Sequence, residues 1–250
     1  MLWVGTSGWQ YRSWRGPFYP PGLPQPEWLE FFAERFATVE VNNAFYRLPE
    51  RSTFVQWAAR TPDDFVVTVK MSRYLTHIKR LREPGEPVAR FFDRAAGLGH
   101  KLGPVLLQLP PTLVADAAVI SEVLSEMPST VRVAVEPRHA SWWTDPIREV
   151  LAKHGAALCW ADRLGRSLSP LWITADFGYV RMHEGRARPR PRYGRRALAS
   201  WLDRIAAFPD RADVYVYFNN DPGGAAIADA SAFAALARRR GLSVTRTPRQ

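Results

Sequence analysis

Cysteine is almost absent: Cys159 is the only one in 250 residues. A lone thiol excludes a disulfide framework and a multi-cysteine metal cluster, and it fits a reducing compartment such as the cytoplasm. No apolar run reaches the roughly 18 residues that a membrane span needs. Residues 1–8 lack a basic segment followed by an apolar one, so no secretory leader is expected. Lysine is scarce. Only Lys70, Lys79, Lys101 and Lys153 contribute to the 34 cationic side chains, and arginine supplies the rest. That skew, alongside abundant alanine, fits GC-rich coding, so the net charge of +10 is by itself weak evidence for a nucleic-acid partner. Internal repeats and low-complexity tracts are missing. So is a Gly-rich phosphate fingerprint after the first β-rich run, which argues against a dinucleotide-binding doubly wound sheet.

What is present is a globular composition, 46% hydrophobic and 12% aromatic, sufficient for a sizeable core. Eight short runs rich in Val, Tyr, Phe or Leu lie at 2–5, 38–41, 65–70, 105–109, 131–136, 157–161, 179–182 and 214–218. Helical patterns lie between them at 26–36, 53–60, 88–96, 115–127, 145–154, 197–207 and 225–240, most of them punctuated by Pro or Gly. Eight strands alternating with helices predict a single α/β domain over residues 1–250, a TIM-like (β/α)8 barrel. Between 161 and 179 the apolar periodicity fades, so the sixth helix is expected to be missing or shrunken.

Polar residues follow every predicted strand. Thr6-Ser7-Gly8-Trp9 follows the first, Glu40 and Asn42-Asn43 the second, and Lys70 and Ser72 the third. Gln108 belongs to the fourth, Glu136 and Arg138 to the fifth, Asp162 to the sixth, Arg181 and His183 to the seventh, and Asn219-Asn220-Asp221 to the eighth. In a parallel barrel these ends share one face, where such enzymes place their chemistry. The structural alternative is a closed network of salt bridges, since buried charges are costly unless paired. Trp9, Tyr11, Trp14, Phe45, Tyr46 and Trp142 crowd the same rim as candidate pocket walls, although any single Trp suits packing over the barrel mouth.

The motifs Gly5-Thr6-Ser7-Gly8-Trp9, Val39-Glu40-Val41-Asn42-Asn43 with Phe45-Tyr46-Arg47-Leu48-Pro49, Leu107-Gln108-Leu109-Pro110-Pro111, Val180-Arg181-Met182-His183 and Phe218-Asn219-Asn220 carry a resemblance. With Lys70, Thr76-His77, Glu136, Arg138 and Ser141-Trp142, they make the chain resemble the YecE-like family, domain of unknown function 72, over nearly its whole length. The resemblance implies a TIM-barrel-like fold with a pocket at the strand ends, and it implies no particular reaction. Glu184-Gly185 after His183 and the Arg- and Pro-rich residues 186–196 depart from the family pattern.

Three chemistries compete for the strand-end residues. Glu40 and Glu136 suit a carboxylate pair acting on a sugar, but Lys70, Arg138 and Arg181 would hold both ionised. Glu40, Glu136, Asp162 and His183, joined by His77, would suit a divalent metal, yet no HxH or HxxxH spacing supports one. The favoured reading needs no cofactor. His183 acts as general acid or base, oriented by Glu136 or Asp162. Arg47, Arg138, Arg181 and Lys70 clamp a small anionic, sugar-like substrate, and Asn42, Gln108, Asn219 and Asn220 donate neutral hydrogen bonds. Lys70 is expected to be a paired ammonium rather than a Schiff-base nucleophile. Isomerase, epimerase or lyase chemistry is the expectation. The alternative is a nucleic-acid-binding or phosphodiesterase-type barrel gripping phosphates with residues 186–196. No membrane partner is expected, and nothing in the sequence bears on oligomeric state.

The charge is unevenly placed. Residues 181–196 hold seven arginines against Glu184, and residues 238–250 hold five arginines and no acid. The remainder is nearly neutral, so the chain reads as a neutral barrel with two basic patches, the second a C-terminal tail of solvated charge.

Overall fold

The computed structural model describes residues 1–248. Ten strands form one sheet: β1 (Leu2–Ser7), β2 (Thr38–Val41), β3 (Val66–Lys70), β4 (Leu102–Gln108), β5 (Val133–Glu136), β6 (Ala157–Leu158), β7 (Trp160–Arg163), β8 (Arg166–Ser167), β9 (Gly178–Glu184) and β10 (Val214–Phe218). Their order is β6-β5-β4-β3-β2-β1-β10-β9-β7-β8, and every pair is parallel except β7 with β8. Eight helices connect them: α1 (Trp28–Arg35), α2 (Asn43–Tyr46), α3 (Arg51–Ala59), α4 (Gly85–Ala95), α5 (Ala117–Ser125), α6 (Asp145–Lys153), α7 (Arg195–Ile205) and α8 (Ala225–Arg239).

The sheet is curled. Tyr217 of β10 places its hydroxyl 2.7 Å from both Thr38 of β2 and Thr68 of β3, although β10 pairs only with β1 and β9. Residues 157–163 run through two pairings: Ala157–Leu158 joins β5, and Trp160–Arg163 joins β9, with Cys159 between them. The observed architecture is thus a curled, mostly parallel sheet of ten strands rather than eight uniform βα units.

Alternation along the strands separates two cores, as period-two geometry requires. The larger core lies under the helices and takes Val39, Val67, Leu107, Val135, Val180 and Val216 from the strands. A smaller cluster of Leu106, Ala134, Ala157, Cys159, Tyr179, Tyr215 and Tyr217 fills the concave side. Gly5 permits the close approach of β1 and β2, since a Cβ there would clash with the Thr38 carbonyl oxygen.

Among the described residues no helix lies between β7 and β9. A hairpin replaces it, turning through Leu164 and Gly165, both at positive φ, as two-residue hairpins favour. The chain then straps across the gap. The Thr174 hydroxyl accepts from Leu158 N–H and donates to the Ala156 carbonyl, and Trp160 Nε1 donates to the Trp172 carbonyl.

The C-terminal segment is docked, which corrects its expectation as solvated charge. Leu2 N–H donates to the Ser243 carbonyl and Thr245 N–H to that of Leu2. Arg240 pairs with Asp203, and Arg246 pairs with Asp64 and caps the Ala33 carbonyl. Arg249 and Gln250, the end of that predicted tail, lie outside the described residues.

Candidate functional site

The strand ends carry a buried chain of charges. Arg181 of β9 crosses the concave side to two carboxylates. Its Nη2 donates to Glu40 Oε1 at 2.8 Å and its Nη1 to Glu136 Oε2 at 2.7 Å. Glu40 also accepts from Ser7 at 2.6 Å and from the Tyr179 hydroxyl at 2.5 Å. Glu136 accepts further bonds from Gln108 Nε2 at 2.7 Å, Arg138 Nη2 at 2.9 Å and His183 Nε2 at 2.8 Å. Gln108 in turn accepts from Lys70 Nζ at 2.7 Å, and that ammonium lies 3.8 Å from the Phe45 ring centroid.

Burial works to raise both carboxyl pKa values, but the opposing charges and hydrogen bonds win. Arg181, with bonds from Ser7 and Tyr179, holds Glu40 below its usual range. Arg181, His183 and Arg138 hold Glu136 well below it. Burial, then repulsion from Arg181, lowers the Lys70 ammonium to about 8. Burial outweighs the pull of Glu136 and lowers His183, favouring the neutral ring. With Nε2–H donated to ionised Glu136, Nδ1 accepts from Asn219 Nδ2 at 3.1 Å.

Above this chain lies a cavity of about 550 Å³. Lys70, Gln108, Arg138, Arg181, His183 and Asn219 line its floor and sides, with Tyr11, Asn42 and Tyr46 on the side of β1 and β2. The cavity therefore gathers most of the polar residues predicted at the strand ends, and Glu40 and Glu136 sit beneath them with their oxygens already bonded.

Other predicted residues fall elsewhere. Asp162 is buried on the helix side, where Tyr193 donates to its Oδ1 at 2.8 Å and Trp201 Nε1 to its Oδ2 at 3.0 Å. Pairing gives the reason: Ala161 is opposite Arg181, so Asp162 shares the face of Met182. Asn220 likewise turns away, donating to Pro191 O and Asp229. Trp9 packs edge-on against Trp57, Trp14 donates to the Asp221 carbonyl, and Trp142 donates to that of Leu113. All three indoles are buried and none lines this cavity. His77 stacks edge-on against Phe45, behind Lys70, and Arg47 lines a neighbouring groove. Of the residues offered for a metal, Asp162 is thus separated from the rest. Among the described residues no three His, Cys, Asp or Glu side chains converge to hold one.

Asn43, Arg163, Leu168, Glu184 and Asp221 also line the cavity, and none received a site role from the sequence. Asp221 lines the cavity beside Tyr11, its Oδ1 is buried without a partner, and burial raises its pKa to about 6. Asn219 and Asp221 reach the cavity and Asn220 does not, although all three lie in the turn beyond the end of β10, where strand alternation gives no guide. Three of the six arginines of residues 186–196 are tied to neighbouring elements. Arg186 donates to Leu164 O, Arg188 pairs with Glu184 and Arg192 with Asp229. None of the described helices is long and apolar enough to cross a membrane.

The family described as protein of unknown function DUF72 matches residues 3–250. A curated relative, UPF0759 protein YunF of Bacillus subtilis (strain 168), is 24% identical over 257 residues, covering 90% of each chain. The crystal structure of a DUF72 family protein from Thermotoga maritima MSB8 is similar with a TM-score of 0.84 and 28% identity, covering 95% of this chain and 99% of that one. A DUF72 family protein from Enterococcus faecalis V583 superposes with a TM-score of 0.80 at 18% identity, covering 100% of this chain and 99% of that one. A xylose isomerase-like TIM barrel/4-hydroxyphenylpyruvate dioxygenase fusion protein shares the fold at a TM-score of 0.51 and 15% identity, over 89% of this chain and 44% of that one. Matched from its third residue onward, the chain belongs to the DUF72 family.

Proposed function

We propose that this protein is an enzyme acting on a small anionic, sugar-like substrate, phosphorylated or carboxylated, by acid–base chemistry of the isomerase, epimerase or lyase type. The observation that carries the reading is the state of Lys70. Among the described residues its only hydrogen-bond acceptor is the neutral Gln108 oxygen, and no carboxylate lies within ion-pairing distance. An ammonium has three donors, so two remain for a ligand in the cavity. Arg138, at the same cavity, adds a guanidinium suited to carboxylate or phosphate.

Two groups are suited to move protons. Asp221 has an unpartnered oxygen and a pKa of about 6, near the working range of a general base. His183 is fixed in tautomer and orientation by Glu136 and Asn219. The cations would stabilise an oxyanion as a proton leaves the neighbouring carbon. Within this reading the sheet is a closed (β/α)8 barrel, a view supported by β6 and β7 being halves of one extended run. A cytoplasmic location accords with the single buried thiol.

The test is titration calorimetry with inorganic phosphate, followed by NMR of sugar phosphates incubated with the protein in D2O. Phosphate binding lost in Lys70→Gln, and deuterium entering carbon beside a carbonyl at a rate lost in Asp221→Asn, are expected. Phosphate that does not bind, or that binds Lys70→Gln equally well, overturns the reading.

A further inference from the structure

Beside the cavity lies a second groove of about 680 Å³, and Tyr46 lines both. Four arginines, Arg47, Arg73, Arg90 and Arg94, line this groove against one carboxylate, Glu50. They are not equivalent. Arg94 pairs with Glu50 at 3.0 Å and Arg90 with Glu86 at 3.3 Å. Arg47 and Arg73 have no side-chain hydrogen bond or ion pair among the described residues. Both follow strands that feed the cavity: Arg47 comes directly after α2, which follows β2, and Arg73 comes three residues after Lys70. Tyr46 between the two spaces is 73% exposed, unusual for a large aromatic. Arg90 stacks on Tyr74 at 5.3 Å across the same groove.

We infer that the groove is a second anion subsite of the same ligand, so that the substrate class is a molecule with two phosphate groups. One phosphate sits at Lys70 and Arg138, and the other at Arg47 and Arg73, with Tyr46 under the connecting portion. The inference rests on the cavity being the substrate site. Two kinds of ligand carry this chemistry: a sugar bisphosphate, and a nucleoside diphosphate or its sugar conjugate. The exposed Tyr46 ring offers a stacking face to a base, whereas a sugar would use it as an apolar floor. Unpaired guanidinium groups on a groove match phosphate in geometry as well as charge.

The experiment is calorimetry with inorganic phosphate, fructose 1,6-bisphosphate and uridine diphosphate on the full chain and on Arg47→Ala/Arg73→Ala, Arg47→Lys/Arg73→Lys, Tyr46→Ala and Lys70→Gln. At least one doubly phosphorylated probe is expected to bind about tenfold or more tighter than inorganic phosphate. The alanine pair abolishes that advantage and leaves the Lys70-dependent binding of inorganic phosphate unchanged, while the lysine pair keeps most of the advantage. Loss of uridine diphosphate alone in Tyr46→Ala identifies a stacked base and upholds the subsite. Equal loss of both upholds it for the sugar bisphosphate. Doubly phosphorylated probes that bind no tighter than phosphate, or an advantage that survives the alanine pair, overturn the inference while leaving the cavity reading intact. Tight binding that depends on Arg47 and Arg73 but not on Lys70 has the opposite meaning: the groove stands and the cavity reading fails. Affinity for a single-stranded oligonucleotide that keeps growing with length assigns the groove to nucleic acid and overturns the small-ligand class. No binding of any probe overturns both.

Discussion

Asp162 and Arg181 lie one register step apart on neighbouring strands yet occupy opposite faces of the sheet. Arg181 holds the carboxylates under the cavity, whereas Asp162 accepts from Tyr193, Gly165 and Trp201 on the helix side. Two buried charges drawn from the same set of strand-end residues therefore have separable consequences. Asp162→Ala leaves a phenol and an indole N–H without their acceptor and is expected to cost about 2–4 kcal/mol of stability. Sulfate affinity at Lys70 should not change. Urea unfolding and calorimetry on the same variant check both halves.

Arg181→Met tests the cluster from the other side. It strands Glu40 and Glu136 without their shared cation, an expected loss of about 3–5 kcal/mol at neutral pH. The sign of the pH dependence reverses with it. In the native protein both carboxyls are lowered from 4.5, so their contribution is present above that pKa and is lost as pH falls through the folded values. Without Arg181, Glu136 keeps Arg138 and His183 but Glu40 keeps no cation, so protonation of Glu40 is expected to stabilise the variant as pH falls toward 4.5. The expected result is a variant whose stability rises as pH falls from 7 to 4.5, a range in which the native contribution of these carboxyls is flat, being lost only below 4.5.

Asp221→Asn should stabilise the protein. Its pKa rises from 3.8 to about 6 on folding, so at neutral pH the ionised side chain opposes the native state, and the opposition disappears below about pH 4. A pKa raised by one pH unit corresponds to about 1.4 kcal/mol, and partial exposure of the carboxyl reduces that, so a gain of about 1–3 kcal/mol is expected at pH 7 and none at pH 3.5. Thermal unfolding at the two pH values checks it. The same variant should lose proton-transfer activity. A gain in stability coupled to a loss of function marks a group retained for chemistry rather than for the fold.

Lys70 sets the alkaline limit. Burial lowers it to about 8, so affinity for sulfate, which does not titrate in this range, should fall above that pH by about tenfold per unit. In Lys70→Arg the fall should disappear, because guanidinium stays charged. A wild-type curve that is flat to pH 9.5 contradicts the assignment of Lys70 as the anion-binding cation.

Much of the fold was legible because strands and helices announced themselves by composition and period. The runs at 38–41 and 214–218 coincide with β2 and β10, and the absent sixth helix was visible as lost periodicity over residues that form the β7–β8 hairpin and its strap. The split of residues 157–163 between two partners was not legible, since pairing partners leave no local signature. At the site, residue type identified the charged set, but facing decided membership. Asp162 is one step out of phase, Asn220 turns away beyond the end of β10, and Trp9, Trp14 and Trp142 are buried in the interior, where the last two donate to carbonyl oxygens. Short helical turns such as α2 and the π-helical turn Tyr74–Ile78 are below the length at which periodicity speaks, yet α2 and its C-terminal neighbour place Tyr46 and Arg47 at the junction of cavity and groove.

Gln108 faces Lys70 with its oxygen and Glu136 with its amide, and those neighbours permit only that orientation. An anion bound between Lys70 and Arg138 would offset the Arg138 charge that works, after burial, against a second proton on His183. Reciprocity then applies: whatever factor the anion adds to the proton affinity of His183, the protonated imidazole returns to the affinity for the anion. On the proposed function, ligand uptake is therefore expected to draw protons from the buffer, measurable by calorimetry in buffers of different ionisation enthalpy.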